Sequence, residues 1–164
     1  MNSIRQDYIQ AIYRLSKDKG YTNNKSISEY FSISRPSVSE MIKKLIDDGL
    51  VIQEKNKIFL SELGDKSAKE VLSKHRIWEC FLVDVLSIDG SIVHDQSDLL
   101  EHVTSEEMFA ALNKFLNYPK ISPKGKRIYT NENKWNLKAK FNWKLHSPMI
   151  ELAFLSDFLF IFIS

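Results

Sequence analysis

The sequence predicts a mainly α-helical protein, and three observations carry that expectation. Apolar residues return at three- and four-residue spacing along most of the first 116 positions, the period of helices with one buried face. Serine or threonine stands just ahead of several of these runs, where a helix N-cap belongs. Only residues 50–60 alternate in the manner of short strands. The chain has 164 residues, 43% hydrophobic and 27% charged, which is enough apolar material for one or two packed cores and excludes a disordered chain.

Ser3 to Lys19 reads as the first helix, with Ile4, Tyr8, Ala11, Ile12 and Leu15 in one stripe and Gly20 beyond its end. Ser26-Ile27-Ser28-Glu29 has the form of a capping box and predicts a short helix from Ile27 to Phe31. Ser32-Ile33-Ser34 is a turn. Ser34 then caps a third helix with Pro36 in its first turn, where a missing N–H costs little. The expected buried stripe of this helix is Val38, Met41, Ile42, Leu45 and Ile46, and Asp47-Asp48-Gly49 ends it. Leu50 to Glu54 and Ile58 to Leu60 form two strands around Lys55-Asn56-Lys57. Ser61 to Leu86 reads as one long helix whose apolar stripe widens toward Phe81, Leu82, Val85 and Leu86. One neighbouring helix would not bury so broad a stripe, so a second surface such as a partner subunit is implied. After a break at Ile88-Asp89-Gly90, Ser91 to Val103 forms a shorter helix. Thr104 with Glu107 then makes a capping box for a helix over Ser105 to Leu116.

Helix, short helix, turn, helix, hairpin is the order of a winged helix-turn-helix, with the third helix in the recognition position. Its outward face would begin Arg35, Pro36, Ser37, Ser39, Glu40 and continue with Lys43 and Lys44. Small hydroxyls approach phosphates closely, lysines supply sequence-independent attraction, and Pro36 offers an apolar surface to a thymine methyl. Lys57, with Lys55, would follow the backbone from the tip of the wing. The partner implied is double-stranded DNA. A three-helix core with a solvated basic face is the plainer alternative.

The densest chemistry lies further on. His94, Asp98, Glu101 and His102 are spaced to share one helix face, and His75 and Glu79 are four apart on the preceding helix. Three of the four histidines fall within residues 75–102, beside carboxylates. Imidazole with carboxylate is the ligand set of a divalent first-row metal. For any one of these residues a solvated acidic face would suffice; the set together points to metal. Charge is distributed to match: residues 71–118 hold 3 Lys+Arg against 8 Asp+Glu, a field that attracts cations. The single cysteine, Cys80, sits at an apolar helical position and fits a core residue in a reducing cytosol. The polar, amphipathic start over residues 1–16 is unlike a signal peptide.

Four runs together carry a resemblance: Asp7-Tyr8-Ile9 with Ala11-Ile12-Tyr13; Pro36-Ser37-Val38-Ser39-Glu40-Met41; Lys74-His75-Arg76 with Glu79; and Val93-His94-Asp95 with Leu100-Glu101-His102. In order and spacing, over residues 4–129, they resemble the DtxR/MntR family of metal-dependent repressors. The resemblance implies a cytoplasmic homodimer. It implies a winged helix over residues 1–64 and a helical metal-binding and dimerisation domain over 65–129. It assigns Asp7, Asp98, Glu101 and His102 to a main metal site, and His75, Glu79 and His94 to a second or ancillary one. Iron-responsive members tend to place sulfur ligands at the positions of Asp7 and Asp98. Carboxylates there suit Mn²⁺ better than Fe²⁺, although raw affinity would favour Zn²⁺.

Three departures from the family stand out. Gln10 replaces a carboxylate that some manganese-type members use to bridge two ions. Ser122-Pro123-Lys124 stands where an ancillary site often has Cys-Pro-His, and the wing is about a residue short. Residues 130–164 lack the strand pattern of the SH3-like domain many members carry. Their apolar run over residues 150–163 falls short of the about 20 residues a membrane span needs, and a truncated or frame-shifted end is the expectation. The function expected is repression of metal-homeostasis genes. A winged-helix regulator sensing an organic ligand and a metallohydrolase built on the same cluster are the alternatives; no nucleophile or Gly-rich loop supports the latter.

Overall fold

The computed structural model describes residues 2–132, and the expectations for the tail beyond Glu132 lie outside the described residues. The chain folds as α1 (Ser3–Leu15), α2 (Asn24–Phe31), α3 (Arg35–Asp47), β1 (Val51–Glu54), β2 (Lys57–Leu60), α4 (Glu62–Cys80), α5 (Gly90–Val103) and α6 (Glu106–Phe115), with a short 3₁₀ turn over Tyr129–Asn131. It is a mainly helical protein that opens with a winged helix.

The winged helix closes around Ile9, Ile12, Ile27, Val38, Ile42, Leu45 and Ile58, all within 1% of complete burial. Ser34 caps α3 by accepting from the Ser37 amide. β1 and β2 pair antiparallel from Val51–Leu60 to Glu54–Lys57, so the wing turns through two residues, with Lys55 at φ 52°. Thr22 adds a third short edge, exchanging two backbone hydrogen bonds of 2.9 Å with Ile58. Arg5 reaches across to Asp48 at 2.9 Å, tying the start of α1 to the end of α3. Ala68 of α4 joins this core, while Ile77 and Cys80 of the same helix enter a second core with Phe109, Leu112 and Ile128. The long helix thus belongs to both.

Several local expectations need correction. α1 stops at Leu15, and the chain reaches Gly20, at φ 76°, through a turn closed by the Gly20 amide on the Ser16 carbonyl. α2 begins three residues early. Asn23, an N-cap at least as good as serine, accepts from the Ser26 amide at 2.9 Å, so the expected capping box is not used. α6 is likewise capped by Ser105, not Thr104. The Thr104 hydroxyl is already taken by the Trp78 indole at 2.7 Å and by the Leu100 carbonyl. Ile4 and Ile46 lie at the ends of their helices, past the core, and are 52% and 37% exposed. The long helix changes to π geometry over Phe81–Val85. Leu63, Val85 and Leu86 stay exposed. Cys80 is buried as expected, and burial pushes its thiol up to about 12, which makes it inert.

The wing meets α4 at a close approach. Ser61 caps α4 and donates its hydroxyl to the Gly49 carbonyl at 2.6 Å. One turn later Gly64 faces the Leu50 carbonyl so tightly that an added Cβ would lie 2.0 Å from its oxygen. Helix propensity alone would make Gly64→Ala stabilising by about 1 kcal/mol. The collision with backbone should reverse the sign and leave a net loss of about 1–3 kcal/mol. A chemical-denaturation midpoint lower than wild type checks this; an unchanged or higher midpoint contradicts it.

Candidate metal centre

The site is assembled from three helices. α1 presents Asp7 and Gln10, α4 presents His75 and Glu79, and α5 presents His94, Asp98, Glu101 and His102. Near its centre is Glu101, a carboxylate only 2% exposed. Its Oε1 accepts from the Gln10 amide at 2.5 Å and lies 3.5 Å from His102 Nε2. Its Oε2 faces His75 Nδ1 at 2.8 Å, yet neither atom reaches hydrogen-bond alignment with any neighbour.

Asp7, Glu101 and His102 bring three ligand atoms within 4.8 Å of one another. Asp7 Oδ1 is 3.0 Å from His102 Nε2. The other ring nitrogen of His102 meets Gln6 Oε1 at 2.6 Å. As the amide oxygen accepts, Nδ1 donates to it, and Nε2 is the ring nitrogen turned toward the Asp7 and Glu101 carboxylates. That arrangement calls for a positive charge at the centre. Burial raises the Asp7 pKa, partly offset by His102, while Glu101 and Asp98 push it further up. The orphaned Glu101 oxygen, the inward-facing Nε2 of His102 and the mutual repulsion of the acids all fit a divalent cation. Asp98 lines the same cleft, of about 400 Å³. Its carboxylate, however, turns the other way, to His75 Nδ1 at 3.0 Å and His94 Nε2 at 3.6 Å.

A second group gathers His75, Glu79 and His94, again within 4.8 Å. His75 Nε2 lies 3.3 Å from both Glu79 Oε1 and His94 Nδ1. Burial would lower the His75 pKa, but Asp98, Glu101 and Glu79 outweigh it and raise it to about 10. Burial would raise Glu79, but His75 and Lys124 hold it down to about 2.

The structure therefore gathers Asp7, Glu101 and His102 in one place and His75, Glu79 and His94 in another, and Asp98 joins His75 and Glu101 in a third group between them, also within 4.8 Å. Sequence reading did not single out Gln6. It sits one turn before Gln10 and next to Asp7, but nothing in its own spacing shows that its amide would meet α5. Gln10 is locked with its NH₂ toward Glu101, because Arg14 donates to its oxygen at 3.3 Å. Its oxygen is thus not available to a bridging ion.

At the expected DNA surface, Arg35, Pro36, Ser37, Lys43, Lys44 and Lys57 are exposed. Arg35 and Lys43 form no ion pair among the described residues. Lys44 is paired with Glu40 at 2.8 Å, and Lys57 lies over the Tyr21 ring. Ser39 is only half-open, because its hydroxyl accepts from Asn24 at 3.0 Å.

The first helix of a winged helix thus shares a buried acid–imidazole site with the helical unit that follows. Comparison with known proteins gives the family. The N-terminal DNA-binding domain of the iron dependent repressors matches residues 2–58, and their metal binding and dimerisation domain matches residues 61–130. IdeR, an iron-dependent repressor of Mycobacterium tuberculosis, is 34% identical over 122 residues, covering 74% of this chain and 53% of IdeR. The HTH-type transcriptional regulator MntR of Bacillus pumilus is 33% identical over 98 residues, covering 59% of this chain and 67% of MntR. Among solved structures, the manganese regulator SloR superposes with a TM-score of 0.67 at 39% identity, covering 76% of this chain and 58% of SloR. ScaR with bound Zn²⁺ gives 0.70 at 34% identity, covering 76% of this chain and 58% of ScaR. The chain belongs to the iron-dependent repressor family, also known from DtxR and MntR. It spans about half the length of IdeR.

Proposed function

We propose that this chain is a manganese-responsive, DNA-binding transcriptional repressor of metal-homeostasis genes that acts in the cytoplasm as a homodimer. The observation that carries this reading is the convergence of Asp7 from the winged helix with Glu101 and His102 from α5 within 4.8 Å. Asp98, on the edge of the same cleft, completes the set by a side-chain rotation. A bound divalent cation supplies the positive charge that lets three carboxylates and one imidazole share this space.

Without that charge, Asp7 faces Glu101 and Asp98 across the gap between α1 and α5, and their repulsion favours separation. α1 does not move alone. Tyr8, Ile9 and Ile12 pack with Val38 and Ile42 of α3, and Arg5 holds Asp48, so a shift of α1 carries the recognition helix with it. Charge at the site is thereby coupled to the pose of the DNA-reading surface.

The donor set supports manganese. Relatives include an iron-dependent repressor by sequence and a manganese regulator among solved structures. In the cleft of Asp7, Asp98, Glu101 and His102 no methionine or cysteine is present among the described residues. Oxygen donors suit Mn²⁺, and sulfur would have suited Fe²⁺ better. For the homodimer, Ile92, Leu99 and Val103 form one exposed stripe along α5, the last two 67% and 78% exposed. A second copy covering that stripe would bury it, as the family's dimerisation domain implies. No described helix is long and apolar enough to cross a membrane.

In a titration of labelled promoter DNA followed by fluorescence anisotropy, Mn²⁺ should tighten binding of the wild-type chain. Glu101→Ala should abolish that stimulation while leaving the helical circular dichroism unchanged. A full Mn²⁺ response in the variant would remove Glu101 from the site.

The DNA surface makes its own forecast. Lys43 forms no ion pair among the described residues, so Lys43→Ala should weaken binding alike on all sequences and reduce the slope of log K against log salt by about one unit. Lys44→Ala should change the slope less, since Glu40 already neutralises that ammonium. Equal effects of the two substitutions would contradict the assigned contacts.

A further inference from the structure

The second group of His75, Glu79 and His94 has the residue types of a metal site, but its surroundings do not suit a metal ion. Lys124 Nζ lies 3.1 Å from Glu79 Oε1, the same oxygen that faces His75 at 3.3 Å. A cation bound through that oxygen would meet the ammonium at contact distance, and one bound through the other oxygen of the same carboxylate would still share it with Lys124. The Lys124 side chain is half-exposed, but its backbone is fixed in a tight turn in which the Gly125 amide bonds the Ser122 carbonyl at 2.8 Å and the Ser122 amide bonds the Lys126 carbonyl at 2.8 Å. Gly125 adopts φ 71° to close the turn. Beyond the turn, the Ile128 amide bonds the Lys120 carbonyl at 2.7 Å, and Ile128 is fully buried in the second core.

A second observation points the same way. The cleft that opens onto this group is lined by Arg14, Lys17, Arg76, Lys124 and Lys126, and among the described residues Glu79 is the one carboxylate on its wall. The field there repels cations. At the Asp7 site the balance is reversed: Asp7, Asp98 and Glu101 face a single Arg14.

We infer that Lys124 is the resident cation of the second group, so that each chain takes up one divalent ion, at the Asp7 site, and not two. The ammonium neutralises Glu79, and Glu79 in turn holds the His75 ring against Asp98 and Glu101. The part of the ancillary ion is thus taken by a covalently attached charge, and the response to metal depends on a single binding event. The single ion rests on the function proposed above; the exclusion of a second by Lys124 does not.

The test counts tightly bound Zn²⁺ per full-length chain by equilibrium dialysis and elemental analysis. Zn²⁺ binds nitrogen and oxygen sites more tightly than Mn²⁺ and so gives the harsher trial. The wild type should hold one ion, Lys124→Arg one and Lys124→Gln two. The additional ion in Lys124→Gln should be lost again when His94→Ala is added. Two ions in the wild type would overturn the inference without any variant. One ion in a folded Lys124→Gln, checked by its thermal melt, would overturn it as well. The Asp7→Ala, His102→Ala double variant separates this from the proposed function. Loss of the single wild-type ion supports the Asp7 site. Retention of that ion rejects the Asp7 site, while the difference between wild type and Lys124→Gln still judges Lys124.

Discussion

The buried carboxylate of Glu101 is the constraint on which the site depends. At 2% exposure it has given up nearly all its water, which is costly for an ionised group unless partners replace the lost hydration. The fold surrounds it with Gln10 from α1, His75 from α4 and His102 from its own helix. Three helices must therefore come together for one side chain to be tolerated. Each partner is itself positioned from behind: Gln10 by Arg14, His102 by Gln6, His75 by Glu79.

α1 has two tasks. One face supplies Tyr8, Ile9 and Ile12 to the core under the recognition helix. The other supplies Gln6, Asp7 and Gln10 to the centre. Under the proposed function, a rigid helix with both tasks would carry a change of charge at one end of the domain to the recognition helix, without a hinge inside the winged helix. Arg14 extends the link, joining Gln10 to the Tyr30 hydroxyl at 3.1 Å on α2.

Much of this was legible in the sequence where a single residue type decides the local structure. Ser34 followed by Pro36 marked the start of α3, and the spacing of His94, Asp98, Glu101 and His102 marked one face of α5. Reading failed where two signals competed. Ser26 and Glu29 had the pattern of a capping box, but Asn23 lay upstream and its side chain took the amide first. Thr104 looked like a cap, but the Trp78 indole claimed its hydroxyl. Spacing also could not say which way a carboxylate turns: Asp98 belongs by sequence with Glu101 and His102, yet His75 draws it toward α4. Asp7 was legible only through family resemblance, since an acid in the first turns of a helix has an ordinary explanation in the helix dipole. Gln6 gave no signal, because an amide acquires its role only from the element it meets.

The central claim is that the functional cation sits between α1 and α5, held by oxygen and one imidazole. Electron–nuclear double resonance on Mn²⁺ bound to chain with ¹⁵N-labelled histidine tests it most directly. The account predicts hyperfine coupling to a single imidazole nitrogen, lost in His102→Ala; coupling that survives that substitution would place the ion on His75 with Asp98 and Glu101. Coupling to two imidazoles would place the ion among His75, Glu79 and His94, and would contradict the claim that Asp7 joins the winged helix to the metal.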